Sequence, residues 1–298
     1  MRKAKSLLLV IGLAFALVSC DGASNDADSA VIVATTSILG DIASAVAGDE
    51  AQVEVLIPIG VDAHDFSPSA QQAGLIAEAD LVVSVGLGLE EGLTDVLASA
   101  EADGVEVLEL GPAVNPIALQ DDEDRPDPHF WMDPLRAGEA ARVVADALSE
   151  NVPGDWVTRA DAYAREMETI DADVMETLSA IPAQDRQMVT NHESFGYFGD
   201  RYEFEILGVI IPGGDTLADP SSAHVAELVA VMEEAGSNVI FAETTEPTAL
   251  AEAIAAELGG EAEVVELYTE SLGEPGSEAG TLPGMLITNA ERIREALT

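Results

Sequence analysis

Lysine is missing from this chain beyond position 5, and every later basic residue is an arginine. Against 12 Lys+Arg stand 56 Asp+Glu, a formal net charge of −44. Nucleic acid is thereby excluded as a partner, and anionic membrane surfaces with it, because both need Lys/Arg patches that neutralise phosphate. The acidic residues are scattered over every segment, which reads as a heavily solvated surface of the kind found in proteins from salty environments and not as one cation site. Cysteine occurs once, at Cys20, so the chain carries no internal disulfide. Beyond residue 18 no apolar run reaches the eighteen or so residues that a membrane-spanning helix needs. Histidine occurs only four times. What is abundant is regularly patterned apolar sequence, 48% of the chain, which separates this protein from acidic disordered chains.

The first twenty residues form an export signal: Arg2, Lys3 and Lys5 precede the apolar run "LLLVIGLAFALV" (7–18), which ends at "LVSC". A lone cysteine after small residues resembles the lipobox of bacterial lipoproteins, which implies lipidation at Cys20 and a mature chain held at the outer face of the cell membrane or in the periplasm. The polar stretch "DGASNDADS" (21–29) has no apolar period and reads as a flexible leash.

Short Val/Ile/Leu-rich runs then alternate with Ala-rich helical stretches. Strands are expected at 31–37, 52–58, 81–86 and 105–110, and again at 187–191, 204–210, 238–243 and 262–267. Helices are expected at 38–47, 68–79, 89–101, 136–149, 193–202, 221–235, 247–258 and 287–297. Strand and helix in alternation predict parallel sheets with helices on both faces. Residues 155–179 contain neither Gly nor Pro and place Trp156, Ala160, Tyr163, Met167, Ile170, Val174 and Leu178 at spacings of three and four. That is one long amphipathic helix with Asp155 as its expected N-cap. The expected fold class is therefore α/β, two lobes that each hold a four-stranded parallel sheet, joined by a long rigid helix. The expected division is 1–20 signal and lipidated cysteine, 21–30 linker, 31–150 N-terminal lobe, 151–182 linking helix and 183–298 C-terminal lobe.

His64 follows the second expected strand, His129 the fourth and His192 the fifth. The region beyond the carboxyl ends of strands is where open parallel sheets form ligand crevices. Neutral imidazole is the common ligand of Zn²⁺, so three histidines at equivalent topological places point to a metal. A fourth ligand then falls to the second lobe, with Glu243 and Glu270 both placed after strands. His224 falls early in a helix and reads as a surface residue.

The motifs "HDFSPS", "ADLVVSVGLGLEEGL", "DPHFWMDP", "VTNHESFGYFGDRYEFEILGV", "VIFAETTEP" and "LYTESLG" resemble, in order and spacing, those of the metal-binding substrate-binding lipoproteins of zinc and manganese ABC importers. The resemblance covers essentially the whole mature chain. It implies two α/β lobes, one divalent metal in the cleft between them, and delivery of that metal to a membrane permease driven by a cytoplasmic ATPase. It assigns His64, His129, His192 and Glu270 to the four ligand positions. Family members with His at the third position are generally zinc binders and those with Glu there bind manganese or iron, so His192 marks a zinc-type member, a high-affinity zinc uptake binding protein. Three imidazoles and one carboxylate suit tetrahedral Zn²⁺, whereas Mn²⁺ prefers more oxygen.

Two features depart from the family pattern. Its fourth position is more usually Asp, so Glu270 adds a methylene, and Glu243 or water are alternatives. The His-rich loop of many zinc members is reduced to the acidic "QDDEDRP" (120–126). Within "DPHFWMDP" (127–134) the prolines restrict the backbone about His129, and Asp127 or Asp133 is expected to accept its second ring N–H, with Asp133 preferred and Glu243 as a further supporting residue. The rival classes are a manganese or iron member, a zinc-dependent hydrolase and a surface adhesin. The chain has no H-E-x-x-H pair and no G-x-S-x-G elbow, so no enzyme is expected. "GLGLEEG" (86–92) is not a dinucleotide fingerprint, because Glu90 and Glu91 stand where phosphate needs positive potential. A single metal cleft needs only a monomer.

Overall fold

The computed structural model describes residues 29–120, 122–213, 216, 220–259 and 262–298. The export signal, Cys20 and nearly all of the 21–30 linker lie outside the described residues. Among the described residues no helix is long and apolar enough to cross a membrane.

The first sheet is built from β1 (Ala30–Ala34), β2 (Ala51–Val55), β3 (Leu81–Ser84) and β4 (Val107–Glu109), in the spatial order β2-β1-β3-β4 with every pairing parallel. The second holds β5 (Gln187–Thr190), β6 (Glu205–Val209), β7 (Val239–Glu243) and β8 (Glu263–Leu267), ordered β6-β5-β7-β8 and again parallel. The central strands are buried on both faces, which is why "AVIVA", "LVVS" and "VIFAE" read as continuous apolar runs instead of alternating. Both sheets thus share one order and place their switch points alike, between β1 and β3 and between β5 and β7.

Helices α1 (Ser37–Ala47), α2 (Ala70–Ala77) and α3 (Thr94–Ala102) flank the first sheet, and α6 (Gly196–Tyr202), α7 (Ser222–Ala235) and α8 (Ala249–Glu257) belong to the second. In the chain, α4 (Pro134–Asn151) and α5 (Trp156–Leu178) come between the two sheets, the latter 23 residues and about 34 Å long, and pack on each other, on α1 and on α9. The four-residue break 152–155 folds α5 back along α4. Gly138 lets the pair approach closely, since a Cβ there would lie 3.1 Å from the Cα of Ala164. Asp155 occupies the N-cap position of α5, but its side chain makes no capping hydrogen bond.

The last helix, α9 (Leu282–Leu297), begins five residues before the start expected at 287. The Thr281 side chain accepts from Gly284 N and Pro283 falls in the first turn, where its missing N–H leaves no intrahelical bond unmade. Through this added turn α9 reaches α5 and the first lobe, where Leu282 N donates to Asp41 Oδ2 at 3.1 Å. One apolar cluster runs from Ile32 and Val83 through Val144, Tyr163 and Met167 to Phe198, Phe241 and Leu267, so both sheets and the helices between them share a core. A second, smaller cluster, with Val189, Leu228, Met232 and Ile254, seals the second sheet beneath α7 and α8.

Candidate metal centre

His192 and Glu270 stand two and three residues past the carboxyl ends of β5 and β8, and His64 and His129 come from the longer connections that follow β2 and β4. His64 lies in the loop after β2, where its backbone N–H donates to Asp62 Oδ1 at 2.8 Å in an Asx turn. His129 precedes the single 3-10 turn Phe130–Met132 that leads into α4. His192 lies two residues beyond β5, its carbonyl accepting from Thr190 Oγ1 and from Ser194 N, both at 2.9 Å. Glu270 lies three residues beyond β8.

These four converge in the cleft between the lobes. One potential ligand atom from each of His64, His129, His192 and Glu270 lies within 4.8 Å of the other three, and all four residues are buried. Glu270 Oε1 is 3.0 Å from His64 Nε2, 3.1 Å from His192 Nε2 and 3.6 Å from His129 Nε2, while the last two nitrogens are 3.2 Å apart. The other Glu270 oxygen accepts from Ala63 N at 3.3 Å, so one carboxylate oxygen faces the cluster and the second is turned to the backbone of the opposite lobe.

The second ring nitrogen of two histidines faces a buried carboxylate. His129 Nδ1 is 2.8 Å from Asp127 Oδ1, which also accepts the backbone N–H of His129 at 2.8 Å. The partner expected at Asp133 is therefore Asp127. Asp133 begins a helix: its carboxylate accepts from Leu135 N at 2.9 Å as the N-cap of α4 and pairs with Arg136 at 3.3 Å, turned away from the imidazole. Asp127 is held from the other lobe, because the Tyr197 hydroxyl donates to its carbonyl at 2.9 Å and Gly196 leaves room for its carboxylate, which a Cβ would meet at 2.5 Å. His192 Nδ1 is 2.6 Å from Glu243 Oε1, so Glu243 supports His192 from behind and does not join the four converging groups.

This geometry shapes the charge balance. Burial by itself would lower the pKa of His192, but the carboxylates of Glu243 and Glu270 outweigh it and hold the pKa well above the usual histidine value. Burial likewise opposes protonation of His129, and Asp127 and Glu270 again raise its pKa on balance. Burial would push Glu270 up, yet the three imidazoles bring it well below the ordinary carboxylate value. Asp62 is pushed up to about 8 by its own burial and by the nearby Glu270 carboxylate. Imidazole ligates a metal only in its neutral form, so binding of a divalent cation here would compete with protons for these ring nitrogens.

His224 lies apart from the cluster, early in α7, with Nε2 2.8 Å from the carbonyl of Val209. The sequence reading missed Thr269, which bonds Glu243, and Asp62. A signal for Asp62 was present: "DAH" and "DPH" share the spacing D-x-H, and in both the aspartate accepts the N–H of the histidine two residues on. Thr269 had none beyond adjacency to Glu270. Each sheet also buries a carboxylate at its switch point. In the second this is Glu243; in the first it is Glu90, which accepts from the Thr35 hydroxyl at 2.6 Å and from the amides of Val85 and Gly86 at 2.8 and 3.0 Å. The "GLGLEEG" turn thus satisfies the amides of Val85 and Gly86 with its own Glu90 side chain.

Two sheets of identical order flanked by helices and a buried His/Glu metal-binding cluster define an extracytoplasmic solute-binding protein for metal uptake. The chain belongs to the family of the periplasmic component A of the zinc-uptake complex (ZnuA), whose model matches residues 32–296. It is 28% identical over 301 residues to the zinc-binding protein TroA of Treponema pallidum, covering 98% of this chain and 96% of that one. It is 27% identical over 280 residues to the manganese-binding lipoprotein MntA of Halalkalibacterium halodurans, covering 93% and 91%. The solved structure of the periplasmic zinc binding protein TroA from Treponema pallidum superposes with a TM-score of 0.84 at 27% identity, covering 91% of this chain and all of that one. Members of this family bind metal for transport and are not enzymes. Their binding proteins work with the permease and ATPase of an ABC importer.

Proposed function

We propose that this protein captures Zn²⁺ through the Nε2 atoms of His64, His129 and His192 and one oxygen of Glu270, and hands it to the permease of an ABC importer. The observation that carries the reading is the donor set: three imidazole nitrogens and a single carboxylate oxygen whose partner oxygen is held by Ala63 N. Zinc–nitrogen distances near 2.0–2.1 Å put neighbouring donors of a tetrahedron about 3.3 Å apart. Four of the six separations, 3.0, 3.1, 3.2 and 3.6 Å, lie close to that edge, and all six fall within 4.8 Å. With Glu270 presenting one oxygen the count stays at four, which suits Zn²⁺ better than Mn²⁺. Manganese is the second reading, favoured by the manganese-binding name of the Halalkalibacterium relative.

Lipidation at Cys20 would tether the protein by its leash to the outer face of the membrane, within reach of the permease. A monomer suffices, because all four donors come from one chain. The test uses residues 21–298, stripped with chelator and titrated with Zn²⁺ and Mn²⁺ against an indicator of known affinity. One tight zinc equivalent with much weaker manganese supports the proposal; tighter manganese would replace the metal assignment, and stoichiometric binding of neither would overturn metal capture.

A further inference from the structure

Thr269 stands between the two halves of the cleft without belonging to the converging donors. Its hydroxyl donates to Glu243 Oε2 at 2.6 Å, and the other oxygen of Glu243 faces His192 Nδ1 at 2.6 Å and accepts from Ser194 Oγ at 3.1 Å. Its carbonyl accepts the indole N–H of Trp131 at 2.6 Å, from the loop that carries His129 in the opposite lobe. The next residue along the chain is Glu270. Thr269, Glu243 and His192 are fully buried and Trp131 nearly so, which keeps bulk solvent away from these contacts.

The bond to Glu243 does something that packing alone does not. A glutamate's terminal torsion is broad and roughly two-fold, so one contact at Oε1 leaves the carboxylate plane free to turn. With Oε2 tied to Thr269 and Oε1 to Ser194, the plane is set and Oε1 is held 2.6 Å from His192 Nδ1. A carboxylate held beside Nδ1 favours the proton on that nitrogen and leaves the Nε2 lone pair for the cluster.

We infer that Thr269 is a positioning residue that sets metal selectivity: its hydroxyl aims His192 through Glu243, while its carbonyl, anchored by Trp131, keeps Glu270 in register with the opposite lobe. The inference rests on the metal-capture reading. Zinc draws on all three imidazoles, whereas manganese leans on oxygen donors, so loosening His192 weakens zinc more than manganese.

Two substitutions separate the hydroxyl from the shape of the residue. Thr269→Val removes the donor and keeps the branched outline; Thr269→Ser keeps the donor. The chelator-stripped unmodified chain and both variants are titrated separately with Zn²⁺ and with Mn²⁺ against the same indicator. The expected result is a zinc affinity about 10-fold or more weaker in T269V, with a much smaller change for manganese, and both affinities within about threefold of the unmodified chain in T269S. Zinc binding by T269V within about twofold of the unmodified chain, a parallel loss for both metals, or failure of T269S to restore zinc affinity would overturn the inference. Failure of the unmodified chain to bind either metal one-to-one would instead bring down the metal-capture reading, a result distinguishable from an insensitive T269V.

Discussion

Asp127 Oδ1 meets His129 twice, at the ring Nδ1 and at the backbone N–H, each at 2.8 Å, so one carboxylate sets both the orientation of the imidazole and the loop that carries it. Replacing Asp127 by Asn is expected to weaken zinc binding about 10- to 100-fold, the range usual for residues that orient a metal-binding histidine. Asp133→Asn is expected to leave zinc affinity unchanged and at most to cost a few tenths of a kcal/mol in the stability of α4, because Asn is nearly as good an N-cap. Competition titrations of the two variants side by side make the check; equal losses would mean that Asp127 does not act through His129.

The buried cluster predicts that raising the pH lowers the stability of the metal-free protein and strengthens zinc binding. His129 and His192 have raised pKa values, so the stability they contribute is fully present below the usual histidine value of 6.5 and is lost as pH rises through their folded values. Asp62, raised to about 8, adds to the same loss between its ordinary 3.8 and that value. Glu270, lowered, contributes stability above its ordinary 4.5 that is lost as pH falls through its folded value. The metal-free protein should therefore melt lower at pH 8 than at pH 5.5. Zinc must displace the histidine protons, so its apparent affinity should rise over the same interval, and the gap between loaded and metal-free melting temperatures should widen. Calorimetry at both pH values, with and without zinc, tests the sign of each trend.

The long helix α5 is tied to the second lobe through Asp171, which receives Arg201 on both oxygens and the Tyr202 hydroxyl at 3.1 Å. Asp171→Asn keeps the shape and removes the charge that the paired bonds depend on. A loss of about 1–3 kcal/mol is expected, which for a chain of this size lowers the melting temperature by several degrees. Zinc affinity should change far less than in Asp127→Asn, since Asp171 touches none of the four converging residues. Urea unfolding of the metal-free variant together with one zinc titration separates these effects.

Acidic residues outnumber basic ones 56 to 12, and the pairs that do form at the surface, such as Arg142 with Asp161 and Glu139, offset little of that excess. Screening shortens the reach of charge repulsion from about 10 Å at 0.1 M salt to about 3 Å at 1 M. The metal-free protein should melt at higher temperature as NaCl is raised from 0.05 to 1 M. A melting temperature that falls across that series would show that attractive pairs outweigh repulsion after all.

The order of strands and helices, their parallel arrangement and the placing of His64, His129 and His192 past strand ends were legible in the sequence, because apolar period, turn residues and strand-end position are local properties of the chain. The amphipathic period of 155–179 predicted α5 for the same reason. Only the tertiary structure decided which groups meet. Asp127 and Asp133 flank His129 within one short motif, yet the entry into α4 claims Asp133 as its cap and leaves Asp127 for the ring. Glu270 reaches Ala63, and Thr269 reaches Trp131 and Glu243, across separations of 207, 138 and 26 residues that no local pattern encodes. Even the start of α9 turned on Thr281 capping a turn whose value lies in a distant contact, Leu282 with Asp41. Hydrogen bonds between buried side chains depend on direction and on distances of a few tenths of an ångström, and only the packed core sets those.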